Sequence, residues 1–111
     1  MKKISKTAIE SMIEEATVDC YSDDEEFSGM VCTLQDKLKF PFDAIALGKA
    51  VKVIGLDESK SSLRSGVIAK VSLEGKSYAA ALSTIKLSDE KSGKGKHNAK
   101  WIEAYKYWAG I

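Results

Sequence analysis

The stretch Asp19-Cys20-Tyr21-Ser22-Asp23-Asp24-Glu25-Glu26 carries five carboxylates and no lysine or arginine. Oxygen-rich side chains at that density suit a hard divalent cation such as Ca²⁺, which takes about six to eight oxygen ligands. The same residues have a second account. Acids in the first turn of a helix complement the positive end of its dipole, each contributing about 0.3–1 kcal/mol with no metal present. One or two acids meet that need, whereas four in succession with Asp19 just before them repel one another and favour a counter-ion. Both accounts stay open on these residues. In a first helical turn the four side chains point around the axis, so two or three at most meet one ion together with Asp19. The expected site is loose and superficial, completed by water and by backbone carbonyls from 19–22.

An EF-hand is excluded. Counting from Asp23 puts Glu25 third, Phe27 fifth and Leu34 twelfth, where a bidentate Glu is required; counting from Asp24 puts Glu26, Ser28 and Gln35 there. Catalytic alternatives are poorly supported, and the expectation is a non-enzyme. His97, the single histidine, has no nucleophile at a recognisable spacing. Cys20 stands among carboxylates, which raise a thiol pKa rather than lower it. Gly93-Lys94-Gly95-Lys96 has the composition of a phosphate loop without the strand before it and the helix after it. Cys20 and Cys32 with one histidine do not make a four-ligand zinc site, and two reduced thiols are expected.

The elements that position these residues follow from periodicity. Thr7-Ala8-Ile9-Glu10 has capping-box form, and Ile9, Met12, Ile13, Ala16 and Cys20 fall at helical spacing, which predicts a helix over about 7–19. Ser22-Asp23-Asp24-Glu25 repeats the cap. Phe27, Met30, Val31, Leu34 and Leu38 then form one apolar stripe of a second helix, about 22–39, stopped by Phe40-Pro41. The acid cluster occupies the junction of the two helices.

Beyond Pro41 the period becomes two. Short strands are predicted over 44–47, 50–54, 66–73 and 77–82, with a hairpin turn at Glu74-Gly75-Lys76, and they suggest a small SH3-like β-barrel over about 43–87. Residues 88–97 read as a mobile Gly/Lys/Ser linker, and Asn98 as the cap of a last helix over about 98–109. Its aromatic face of Trp101, Ile102, Tyr105 and Trp108 belongs to the core. The fold class is α+β, in one domain.

At 111 residues, 44% hydrophobic and 30% charged, the chain has the balance of a soluble globular domain. It has no apolar run of membrane-spanning length, and Met1-Lys2-Lys3-Ile4-Ser5-Lys6 does not open a signal peptide, so a cytoplasmic, bacterial-type protein without a membrane partner is expected. The net charge of +1 hides an asymmetry: ten acids and five bases up to Leu47, six acids and twelve bases after it. A cation site therefore belongs to the first half. The basic second half leaves an alternative open, in which the barrel is an interaction module for protein or nucleic acid and the acids only cap a helix. Nucleic acid is the less favoured of these partners.

The order of signals resembles a known family. Asp19-Cys20-Tyr21, the acidic run, Gly29, then Leu34-Gln35-Asp36-Lys37-Leu38-Lys39-Phe40-Pro41-Phe42 are similar to the small bacterial calcium-binding family typified by the cyanobacterial CcbP. The likeness continues through Gly48, Val51 to Leu56, Ala79 to Leu87 and Trp101 to Trp108, with Phe40-Pro41-Phe42 the most specific piece. The resemblance implies Ca²⁺ binding by clustered surface carboxylates without an EF-hand, with calcium buffering or sensing as the consequence. Carried over by position, the matching acids are Asp19, Asp23, Asp24, Glu25 and Glu26. Asp36 and Glu103 also match acidic positions, each with a salt bridge as its other reading. Asp43, just past the Phe-Pro-Phe turn, is a further candidate if the barrel packs against the helix junction.

Overall fold

The computed structural model describes residues 5–111; Met1 to Ile4, at the charged start on which the signal-peptide expectation rests, lie outside the described residues. In chain order the elements are α1 (Lys6–Ala16), α2 (Asp23–Lys37), β1 (Phe42–Ala46), β2 (Lys49–Leu56), β3 (Ile68–Leu73), β4 (Lys76–Ala81), a 3-10 turn (Leu82–Thr84), β5 (Lys86–Leu87) and α3 (Gly93–Ala109).

Helix α1 starts and ends earlier than its sequence suggests. Ser5, not Thr7, is the cap, and its hydroxyl accepts the Ala8 N–H at 3.1 Å. At the other end the Thr17 hydroxyl donates back to the Ile13 carbonyl at 2.8 Å, and the Thr17 N–H to the same carbonyl at 2.9 Å. Both close the last turn. Helix α2 starts as predicted, with Ser22 accepting from the Glu25 N–H at 3.2 Å and Phe27, Met30, Val31 and Leu34 as its buried stripe, but it ends at Lys37 rather than 39, and Leu38, the last residue of the predicted stripe, is already extended.

The strands form one antiparallel sheet in the order β4-β3-β2-β1-β5. Leu47-Gly48 and Glu74-Gly75, each a pair of residues at positive φ, are the two-residue turns of a twisted hairpin. β1 alternates cleanly, burying Phe42, Ala44 and Ala46 while Asp43 and Ile45 face out. A closed barrel is not formed. Closure needs a continuous ladder around the ring, but β5 has two residues, which pair with β1 through Ala44↔Leu87 and Ile45↔Lys86. β4 and β5 are left as the two edges of the sheet. The chain spends the residues between them on the 3-10 turn, where Leu82 is fully buried.

The largest departure concerns the predicted linker. Residues 93–97 are the first turns of α3, and Asn98 lies inside the helix, 1% exposed, rather than capping it. The cap is Ser92, which accepts from the Gly95 N–H at 3.0 Å. Asp89 folds the approach: one carboxylate oxygen accepts the N–H groups of Lys91 and Ser92, and the other accepts the Ser92 hydroxyl. A glycine at 95 is required here, because a Cβ would collide with the Asp89 carbonyl. The residue type that marks a flexible linker serves here for close approach.

The core lies between the inner sheet face and the three helices, with Met30, Leu34, Val53, Val67, Leu82 and Tyr105 fully buried. Among the described residues no helix is long and apolar enough to cross a membrane.

Candidate metal centre

The acidic stretch lies where α1 hands over to α2. After Ala16 the chain turns through Thr17 and Val18, and Asp19 sits in the left-handed region at φ 59°. Asp and Asn visit that region more readily than other side-chain-bearing residues. The junction is tight because of Gly29. A Cβ there would lie 2.6 Å from the Ala16 carbonyl oxygen and 3.1 Å from the Cys20 sulfur, so only glycine lets α2 approach the end of α1 this closely.

Glu25 stands one turn before Gly29 and shares its face. Its Oε2 accepts the Tyr21 N–H at 3.2 Å while its own N–H donates to Ser22 Oγ, so its carboxylate is held over the junction. Residues 19–26 carry five acids and no base. Cys20 is a free, half-buried thiol whose pKa is pushed up, first by desolvation and then by the Glu25, Glu26 and Asp19 carboxylates in that order. Asp19 adjoins Cys20 in the chain and Glu25 reaches back to the Tyr21 N–H, which places both acids at the junction. Asp23 and Asp24 are exposed, and Asp24 shares a face with exposed Ser28 and Cys32. Among the described residues no three His, Cys, Asp or Glu side chains converge closely enough to form a ready-made metal cage.

Asp43 has different surroundings. It faces out from β1, and its carboxylate pairs with Lys52 at 3.5 Å. The fifteen residues of α2, a rod of roughly 22 Å, run between the acid cluster and the approach to β1. Asp43 instead borders a separate cleft of about 210 Å³ with Lys52, Asp89 and Lys94. Lys94 Nζ donates to the Pro41 carbonyl, and Asp89 is held by Ser92 and Lys91.

The far end of α2 is fastened by residues whose role the sequence does not announce. His97 Nε2 donates to the Lys37 carbonyl at 2.6 Å. The Asn98 side chain accepts the Lys39 N–H at 2.8 Å and donates to the Lys39 carbonyl at 3.3 Å. Gln35 Oε1 accepts the Leu56 N–H at 3.2 Å, tying α2 to β2. Together these bonds and the buried stripe fix α2 at one end and leave its acidic N-terminus facing solvent.

Chemically, the junction offers hard anionic oxygens, a compact negative field and freedom of exposed side chains to rotate. Those properties are compatible with the flexible, water-tolerant coordination of Ca²⁺.

Comparison with known proteins agrees with this geometry at the level of family and fold. The crystal structure of Anabaena CcbP is similar to the chain with a TM-score of 0.74 at 25% identity, over 100% of this chain and 98% of that one. A second structure, of a calcium binding protein in the calcium-binding form, matches with a TM-score of 0.68 at 24% identity over the same shares and speaks for the fold alone. No curated protein sequence matches the chain. A family model for CcbP-type proteins, described as calcium binding, matches residues 10–109, nearly the whole described length. The chain therefore belongs to the CcbP family of calcium-binding proteins.

Proposed function

We propose that the protein binds Ca²⁺ without catalysis at the α1–α2 junction, through Asp19, Glu25 and Glu26, with Asp23 and Asp24 adding charge and exchangeable ligands. The ion neutralises carboxylates that otherwise repel one another, and it favours the folded chain because only folding brings them together. A site whose ligands must rotate into place and be completed by water binds in the weak range. That suits buffering or sensing of changing calcium rather than permanent structural retention. Asp43 has its own partner in Lys52 and is left out of this site. The strand order, with a 3-10 turn before a last strand beside the first, supports reading the sheet as a partly open SH3-like meander that serves as the platform for α2.

The observation that carries this reading is the Glu25 carboxylate held over the junction by the Tyr21 N–H, with Asp19 and Glu26 close by in the chain and, among the described residues, no cation paired with it. The ion pairs among the described residues are Lys37 with Glu15 and Lys52 with Asp43, and neither involves residues 19–26.

Thermal melting with and without calcium is the test. Ca²⁺ raises the Tm, by the equivalent of about 2.7 kcal/mol when it exceeds its Kd about a hundredfold. Asp19→Asn combined with Glu25→Gln removes the rise, and Asp43→Asn keeps it. An unchanged Tm at millimolar calcium, or equal loss of the rise in Asp43→Asn, contradicts the assignment.

A further inference from the structure

A groove between α1 and α3 has no part in the calcium reading. Glu10, Ile13, Glu14 and Thr17 form one wall, Tyr107 and Trp108 the other, around a volume of about 610 Å³. The first four stand at i, i+3, i+4 and i+7, so they line a single helix face. Ile13 and Trp108 are half-buried and form the apolar floor. Trp108 is steadied from behind by Phe27 and Tyr105, each with its ring centroid 6.4 Å away. Tyr107 stands 47% exposed beside it.

Charge is what identifies the occupant. Glu10 and Glu14 are exposed, and among the described residues neither makes an ion pair. Among the described residues that line the groove, Lys6 at one end is the one cation beside Glu10 and Glu14, which leaves that lining net negative. Two carboxylates one turn apart above a pair of aromatic side chains match a flat cation on an apolar stem. A guanidinium presents its face to an aromatic ring and its N–H fork to a carboxylate, whereas an ammonium offers only a compact charge.

We propose that the α1–α3 groove docks an arginine-bearing basic segment of a partner protein. The arginine stem lies along Ile13 and Trp108, its guanidinium against Tyr107 or Trp108, and its N–H groups reach Glu10 and Glu14. This surface is formed by residues other than 19–26, so its test separates from that of the calcium site.

The experiment is an NMR titration of the whole protein, at low salt, with a short amide-capped peptide alternating arginine with alanine. Its lysine counterpart and spermidine serve as competing probes. The arginine peptide shifts the Trp108 indole and the Tyr107 amide saturably. Glu10→Gln with Glu14→Gln weakens binding about tenfold, as expected for two solvent-facing charged contacts. Asp23→Asn with Asp24→Asn leaves it unchanged, and the lysine peptide binds several-fold more weakly. Shifts centred on residues 19–26, equal binding of all three probes, insensitivity to the Glu10 and Glu14 changes, or no saturable binding at millimolar peptide each overturn the proposal.

Discussion

Asn98 is the buried polar side chain on which the placement of the acidic helix depends. It is 1% exposed and uses both ends of its amide on the backbone of Lys39, just past α2. Asn98→Ala leaves the part-buried N–H and carbonyl of Lys39 without their partner and is expected to cost about 1 kcal/mol or more, read by chemical denaturation. Asp89 makes a second prediction at this scale. Hydrogen bonds from the Ser92 side chain, the Ser92 N–H and the Lys91 N–H, in that order, hold its pKa below the usual aspartate value. A depressed folded pKa contributes stability above the unfolded pKa, and that contribution is lost as pH falls through the folded one. Asp89→Asn therefore lowers the Tm at neutral pH, and the gap from the parent protein closes below the ordinary aspartate range of about 4. A gap that persists in acid contradicts the role of the charge. Cys20, raised by burial and by the Glu25, Glu26 and Asp19 carboxylates, is expected to alkylate more slowly at neutral pH than exposed Cys32, as peptide mass mapping after a brief exposure reports.

Elements differ in how far their sequences announce them. The start and buried face of helix α2 were legible, because Ser22 supplies a cap and Phe27, Met30, Val31 and Leu34 supply a 3.6-residue period, whereas its end comes two residues before the predicted 39. The α3 start was not legible. Gly93 and Gly95 lower helix propensity, and Lys94 and Lys96 look solvated, so local chemistry argues for a linker; the packing of the Asp89 turn against Gly95 decides otherwise. Gly29 shows the same logic at the α1–α2 junction. Gly29→Ala gains up to about 1 kcal/mol of intrinsic helix preference. It also sets a methyl 2.6 Å from the Ala16 carbonyl, a backbone atom that cannot swing away, and overpacking of that kind costs about 1–3 kcal/mol. The expected outcome is net destabilisation and weaker calcium binding, since the end of α1 must withdraw from the carboxylates. A Gly29→Ala protein with higher stability and unchanged calcium response removes the junction from the account.

For the whole molecule, the division of charge along the chain becomes a division in space only in part. Five of the ten acids of the first half stand where α1 meets α2, but the basic second half is spread over strand surfaces and the start of α3, where Lys94 is committed to the Pro41 carbonyl. The α+β class and the carboxylate cluster could be read from the amino acids, because periodicity and like-charge density are local properties. An open sheet instead of a closed barrel could not, because closure depends on whether β4 and β5 meet, a contact set by the 3-10 turn and by the shortness of β5. Nor could the pairing of Asp43 with Lys52, apart from the acids of the helix junction, since that needs the sheet and the helices in three dimensions.

The most direct measurement is a calcium titration followed residue by residue through backbone amide NMR shifts. Saturable shifts concentrated on Asp19 to Glu26 and on Gly29, with Asp43 and Lys52 unmoved, are the result the account predicts. Shifts centred on Asp43 and Asp89, or none at millimolar calcium, contradict it.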